Sequence, residues 1–542
     1  MLRIERSAWA LAAVSAILQI VIFPLPDLYL LSWIAIAPLL VALLRARRPP
    51  TLQLEGSVKL VPAGPLQGFV LGYSCGILWY GGNCYWVYST MKQYGGISAA
   101  GAAGLLLLFC LYLGLYHGLF GLITTLLARH SFRTALVSAP FVWVAVELAR
   151  TRISGFPWDL LGISQVDNIP LARIARITGV YGVSLEIMIV NAAFAAAFLV
   201  RRNRRSSLLQ ASFAAAFVLQ IARWMPVPEA PAERTAVLVQ ENIPVLDNAD
   251  WTRQYFQDTL TNLIQVSQQL PVGERLRHPD LIVWPESPAP FYSGDPLFRN
   301  ALSDLARSAH SWILAGNIGV VTLGISSQDS GAAPQNASEI FNTASLVSPD
   351  GDWGAHYDKI HLVPFGEYVP FKQWLSFAGG LTKEVGDFSR GTSRTPLPAG
   401  EEKLGIFICY ESIFPDEVRR FAKQGAQVFA NVSNDGWYGD SGAYAQHLEQ
   451  ARMRAIENAR WLLRDTNTGV TASIDPYGRI VASVPRKVRT ALIAPYALIG
   501  ETTFYTRHGD WLAYACAIIS IGAILISLVP VSLTPTTGRR TA

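Results

Sequence analysis

The sequence predicts a polytopic α-helical membrane domain of about eight spans joined to an α/β domain set between the last two. Three observations lead there. Of 542 residues, 51% are apolar and only 15% charged, against about 25% charged in an ordinary soluble domain. The deficit is local, because apolar stretches approaching the ~20 residues of a bilayer crossing fall at 9–23, 28–44, 68–88, 99–127, 135–148, 180–200, 207–221 and 511–529. Between 233 and 495 the texture changes to short β-rich runs alternating with amphipathic helical segments.

Residues 1–222 therefore read as seven spans and 509–530 as the eighth, the fifth and seventh being short. The first reads as a retained span, since no small-x-small cleavage site precedes Pro24 and a second span follows at once. Arginines cluster at alternate span ends: Arg3 and Arg6, then Arg45, Arg47 and Arg48, then Arg129 and Arg133, then Arg201, Arg202, Arg204 and Arg205, then Arg539 and Arg540. The positive-inside rule assigns these and both termini to the cytoplasm. The α/β domain then faces the periplasm of a Gram-negative cell, with the inner membrane as its location. The net charge of +5 is explained by these clusters, so no nucleic-acid footprint is expected. Arg150 and Arg152 break the pattern. With Glu147 and Trp158 of the Gly155-Phe-Pro-Trp turn, Arg150 is a candidate headgroup or substrate contact.

The residues 225–231 read as a linker. Expected strands are 235–240, 281–284, 312–315, 345–347, 404–409, 428–432, 469–474 and 480–484. Expected helices are 251–270, capped by Asp250, then 415–424 and 447–463.

Four of the five cysteines (Cys75, Cys84, Cys110 and Cys516) lie in apolar stretches, where a thiol is a small filler. Cys409 alone ends a β-type run in the water-soluble region. Taken singly it reads first as a core cysteine. Two further polar groups follow apolar runs: Glu286 after Trp284-Pro285, and Lys359 before Leu362-Val-Pro-Phe365. A neutral-pH thiol is only a few per cent thiolate, so it needs a base and a positive neighbour. Glu286 suits the first need, and Lys359 can stabilise both a thiolate and a tetrahedral oxyanion. Of His310, His356, His361 and His447, none has a spacing that singles it out, although His361 shares an extended face with Lys359. Without a Cys pair or a His-x-x-x-His helix, no metal or other cofactor is expected.

Trp-Pro-Glu286, Tyr357-x-Lys359-x-x-Leu362 and Cys409-Tyr-Glu411 together resemble the nitrilase superfamily. Leu362-Val-Pro-Phe-Gly-Glu-Tyr-Val-Pro370, Ser433-Asn-Asp-Gly-Trp-Tyr-Gly-Asp-Ser441, Gln446-His447, Thr466-Asn-Thr-Gly-Val470 and Gly155-Phe-Pro-Trp158 are similar to the apolipoprotein N-acyltransferase family. The resemblance implies a nitrilase-like αββα sandwich with Glu286, Lys359 and Cys409 as catalytic triad. It implies transfer of an acyl chain from a phospholipid, typically phosphatidylethanolamine, through a Cys409 thioester to the N-terminal diacylglyceryl-cysteine of an apolipoprotein. It assigns Glu286 as base, Lys359 to the oxyanion, Glu367, Tyr410, Glu411, Asn342 and Trp437 as supporting residues, and Trp251 as a lid aromatic. A monomer among membrane lipids is expected. Two other readings stay open: a membrane-tethered amidase or hydrolase, and a transporter with an inactive soluble domain.

Overall fold

The computed structural model describes residues 4–47, 61–199, 202–245, 251–268, 278–323, 337–368 and 388–528. Arg3, Arg48, Arg201, Arg539, Arg540, Asp250 and residues 49–60 lie outside that set.

Helical segments stand at all eight expected span positions. Among the described residues, four are long and apolar enough to cross a bilayer: Ala99–Ala128, Phe132–Ser154, Val180–Leu199 and Trp511–Leu528. The expected fifth span is thus longer than its hydropathy implied, because Phe132–Ala149 continues into a π-turn, Arg150–Ser154. The second is not one helix. A 3₁₀ turn, Tyr29–Trp33, precedes the helix Ala37–Leu44. Asn191 Oδ1 supports that break by accepting the Ile36 and Ala37 amides at 2.7 and 2.9 Å, donors that a helix start leaves without partners. The third ends at Asn83, and Trp86–Gln93 forms a separate helix.

Without a hydrophobic drive inside lipid, helices associate through close backbone packing at small residues. Gly68, Gly72 and Gly76 of Pro65–Asn83 lie against Ala99–Ala128 so tightly that a Cβ on Gly72 would sit 2.2 Å from the His117 carbonyl oxygen.

Twelve strands are found among the described residues: β1 Arg234–Gln240, β2 Leu281–Trp284, β3 Trp312–Leu323, β4 Ala337–Val347, β5 Trp353–Asp358, β6 Leu397–Ala399, β7 Glu402–Ile408, β8 Val428–Ser433, β9 Leu462–Thr466, β10 Ala472–Ile474, β11 Ile480–Ser483 and β12 Thr490–Tyr496. They form two six-stranded sheets, β12-β1-β2-β3-β4-β5 and β11-β10-β9-β8-β7-β6. The centres, β1-β2-β3 and β7-β8-β9, are parallel.

Strand alternation divides the core. Ala236, Leu238, Leu281, Val283 and Leu314 face the second sheet. Their neighbours Val237, Val239, Ile282, Trp284 and Ile313 face outward against Leu260, Leu263, Phe298 and Leu302. Those last residues come from the helices Arg253–Gln268 and Pro296–Ala309. On the second sheet the outer layer is Pro415–Lys423 and Ala443–Asn458. This is the nitrilase-like αββα sandwich.

The expected helix 447–463 is a correction. It ends at Asn458, where Ala459 turns left-handed at φ 50°, and residues 462–466 become β9. Arg460 stabilises the reversal by donating to the Asn458 and Ala459 carbonyls at 3.2 and 3.3 Å. Strands β5, β6, β9 and β12 were not expected at all.

Ala443–Asn458 is also the junction between the halves. Gln446 donates to Pro24 O at 3.0 Å and Asn83 Oδ1 at 3.2 Å. Glu457 accepts the Val180 amide at 2.9 Å, at the start of the helix Val180–Leu199. Arg152 explains its place against the orientation rule: it bridges Asp416 at 3.0 Å and Asp510 at 2.6 Å, tying the α/β half to the start of Trp511–Leu528.

Candidate active site

Glu286, Lys359 and Cys409 follow the C-terminal ends of β2, β5 and β7. Lys359 is buried, and its ammonium donates to Glu286 Oε1 at 2.9 Å and Glu367 Oε1 at 2.8 Å. Asn342 on β4 donates to the same two oxygens at 2.8 and 2.7 Å. The Asn434 amide donates to Glu286 Oε2 at 2.9 Å, and Val363 N to Glu367 Oε2 at 2.8 Å. Asn342 Oδ1 is buried and has no hydrogen-bond partner among the described residues.

Burial alone would push the Lys359 ammonium down, but the Glu286 and Glu367 carboxylates reverse this and hold it well above the usual lysine range. For Cys409, burial pushes the thiol well up, Glu286 adds to the rise and Lys359 opposes it. The thiol is therefore protonated at rest, within electrostatic reach of both partners.

Cys409 sits at φ 49°, a left-handed conformation for a non-glycine residue. Such backbone costs of order 1–3 kcal/mol and persists only when its surroundings hold it. Two devices do so. Glu411, in the 3₁₀ turn Cys409–Ile413, accepts the amides of Ile408, Ile360 and His361 at 2.7, 2.7 and 3.0 Å. It thus ties the cysteine strand to the lysine loop. On the other side His447 Nε2 lies 3.0 Å from the Cys409 carbonyl oxygen and 2.7 Å from Ser412 Oγ. His447 Nδ1 lies 3.0 Å from Asp435 Oδ1, whose other oxygen accepts from Arg464 at 2.8 Å. Burial would raise Asp435, but Arg464 and His447 hold it well below the usual carboxylate range. Sequence reasoning missed Asp435, His447 and Arg464 as a unit. The available signal was an arginine and an aspartate, Arg464 and Asp465, inside the apolar run 461–466.

The other expected residues divide. Tyr410 donates to the Gly155 carbonyl at 3.1 Å, linking the cysteine turn to the membrane half. Trp437 lies beside Tyr94, ring centroids 5.3 Å apart, with its carbonyl accepting from Thr90 at 2.9 Å. Trp251 packs on Tyr255 and on the outer core of the first sheet. His361 stacks on Phe414 at 4.3 Å. Glu147, Arg150 and Trp158 are all buried. Glu147 accepts the Leu161 amide at 2.7 Å, Arg150 donates to Tyr80 Oη and Trp158 O at 3.0 and 2.9 Å, and Trp158 donates to Gln446 at 2.8 Å. The cavity beside Arg150 holds about 20 Å³, room for about one water. Among the described residues no acidic, His or Cys group forms a metal-binding cluster.

A family model described as the apolipoprotein N-acyltransferase N-terminal domain matches residues 15–193, and one described as carbon-nitrogen hydrolase matches 238–500. An apolipoprotein N-acyltransferase of Geobacter metallireducens is 33% identical across 95% of this chain and 94% of its own length. This chain belongs to the apolipoprotein N-acyltransferase family. A family member from Nitrosomonas europaea is 34% identical over 88% of this chain and 90% of its own. Among solved structures, a variant of the Nesterenkonia AN1 amidase from the nitrilase superfamily is 17% identical, with a TM-score of 0.37, covering 54% of this chain and 99% of that one. Membership identifies a membrane acyltransferase with a carbon-nitrogen hydrolase domain, and removes the transporter reading.

Proposed function

We propose that this protein transfers an acyl chain from a phospholipid to the N-terminal diacylglyceryl-cysteine of an apolipoprotein, with Cys409 as the transient carrier. The observation that carries the mechanism is the buried Lys359 ammonium held between the Glu286 and Glu367 carboxylates.

In the first half-reaction Glu286 takes the Cys409 proton as sulfur attacks the donor ester carbonyl. The Lys359 ammonium and the Tyr410 backbone N–H stabilise the tetrahedral oxyanion. Collapse breaks the ester C–O bond, and the leaving alkoxide takes the proton from Glu286, giving a lysophospholipid and a thioester. In the second half-reaction the acceptor α-amine attacks the thioester and gives a proton to Glu286. The C–S bond breaks, and the Cys409 thiolate recovers that proton, leaving an amide and the resting thiol. Proton transfer from Cys409 to Glu286 moves charge without changing the cluster's total, so a buried thiol that is protonated at rest remains competent. While Glu286 is neutral, Glu367 remains as counter-charge for Lys359.

Phosphatidylethanolamine is the expected donor. Seven expected spans before the α/β half, with arginines at alternate ends, support a periplasmic site and cytoplasmic termini in the inner membrane. Trp251, at the start of Arg253–Gln268, is assigned to substrate access, and the acting form is taken as a monomer.

The test is intact-protein mass measurement after exposure to phospholipid. A fatty-acyl adduct is expected on the wild type, released by hydroxylamine and absent in Cys409→Ala. Transfer activity without an adduct would refute the thioester route. Fatty acid released without lipopeptide acylation would favour the hydrolase.

A further inference from the structure

We propose that the cavity between the helix Trp86–Gln93 and residues 436–441 receives the peptide that follows the acylated cysteine of the acceptor; this rests on the function proposed above. The cavity holds about 290 Å³, and its lining includes Tyr85, Ser89, Gln93, Trp437, Tyr438 and Asp440. It forms where the two halves meet, and its walls are fixed from both sides. Tyr94 Oη donates to the Gly436 carbonyl at 2.9 Å, and Tyr85 Oη accepts the Gly442 amide at 3.0 Å.

Its inner wall leads to the nucleophile. Tyr438 packs against Trp86 and His447, at centroid distances of 5.2 and 5.6 Å, and its hydroxyl is electrostatically coupled to Cys409. On the same turn, two residues before Gly436, the Asn434 amide donates to Glu286 Oε2 at 2.9 Å, so the cavity wall is continuous with the residues that hold the catalytic carboxylate.

The lining chemistry selects among polar occupants. Ser89 and Gln93 make no side-chain hydrogen bond among the described residues, and an amide such as Gln93 can both donate to a peptide carbonyl and accept a peptide N–H. The described lining contains no Lys or Arg, and its one ionisable carboxylate is Asp440, which pairs with Lys487 outside the cavity. The cations that border it are engaged, Lys487 with Asp440 and Arg486 with the Gly439 carbonyl at 2.8 Å, so a phosphate headgroup would meet a carboxylate and no uncommitted cation, against the usual rule for phosphate sites. Neutral backbone amides meet matching partners, which assigns the cavity to the acceptor and not to the donor.

The experiment uses the full-length enzyme, with Gln93→Ala and Ser89→Ala made separately. It compares diacylglyceryl-cysteine amide with a diacylglyceryl-cysteinyl pentapeptide, and follows adduct formation on Cys409 from phosphatidylethanolamine. Each variant should raise KM for the pentapeptide, together by about tenfold, the worth of one or two hydrogen bonds. The single-residue acceptor, kcat and the rate of adduct formation should be unchanged. Equal weakening of both acceptors, or no change in either, would overturn the proposal. Slower adduct formation would overturn it in favour of the donor headgroup. Absence of any adduct on the wild type would instead remove the underlying function, and the peptide site with it.

Discussion

Two buried charged clusters flank the Cys409 turn: Glu286–Lys359–Glu367 on one side, and Asp435–His447–Arg464 on the other. In the first, two carboxylates share one ammonium, so a surplus negative charge is left where a proton can be received. In the second, Asp435 is matched by Arg464 at 2.8 Å, and the histidine between them reaches the Cys409 carbonyl. Both are closed to solvent, yet only the first leaves its balance unsatisfied. A buried ion pair is weak evidence of net stabilisation, and removing one partner is costly because the other charge stays behind. The difference suggests a division: the unbalanced cluster does chemistry, and the balanced one holds the strained turn.

That division can be broken by substitution. The largest effect on rate is expected for Glu286→Gln, with acyl-enzyme formation falling about 10²–10⁴-fold as the general base is lost. Its unfolding should change by only about 1–2 kcal/mol, since three donors lose a charged acceptor but the Lys359 ammonium keeps Glu367. Arg464→Met should do the reverse. It strands the Asp435 charge, costing about 3–5 kcal/mol of stability read by denaturant unfolding, while the folded fraction keeps Glu286, Lys359 and Glu367 intact. If Arg464→Met folds normally and fails only in catalysis, the two clusters are not distinct in role.

Glu367→Gln is expected to slow acylation about tenfold, or ~1.4 kcal/mol, because Lys359 loses its second counter-charge as Glu286 becomes neutral. The pH dependence sharpens the contrast further. Asp435 is held below its ordinary value of 3.8, so its contribution is present above that value and is lost as pH falls through the depressed folded one. The stability advantage of wild type over Asp435→Asn should therefore be constant above about pH 5 and shrink below about pH 4. An advantage undiminished at pH 3 would contradict the assignment, which expects it to begin shrinking below about pH 4 and to vanish only at still lower pH. The smallest effect belongs to the link between halves. Arg152→Ala should cost about 1 kcal/mol, because its side chain is 34% exposed and solvent screens it, while Asp416 keeps Arg419 and Arg420 and the buried Asp510 keeps the Tyr505 hydroxyl at 2.8 Å.

Glu286, Lys359 and Cys409 were legible because each is a reactive group just past an apolar run, and strand ends gather in one cleft of an α/β sheet. His447 was not legible: its partners lie 12 residues away at Asp435 and 17 away at Arg464, on a turn and on a strand that local pattern did not reveal. Strand β9 carries Arg464 and Asp465 in its interior, which masks its β character, while the preceding helical periodicity ran past Ala459. Arg150 and Arg152 were legible as anomalies of charge placement, but not as an interior anchor and an interdomain bridge.

Hydropathy and side-chain periodicity act over a few residues, so the sequence alone determined the helical membrane half, the α/β texture and three reactive groups at strand ends. Burial and charge compensation depend on which surfaces meet. Only the tertiary structure could decide that Lys359 lies between two carboxylates, that a histidine grips the Cys409 carbonyl, that Arg150 is buried against Tyr80 and Trp158, and that Arg152 binds aspartates across the junction.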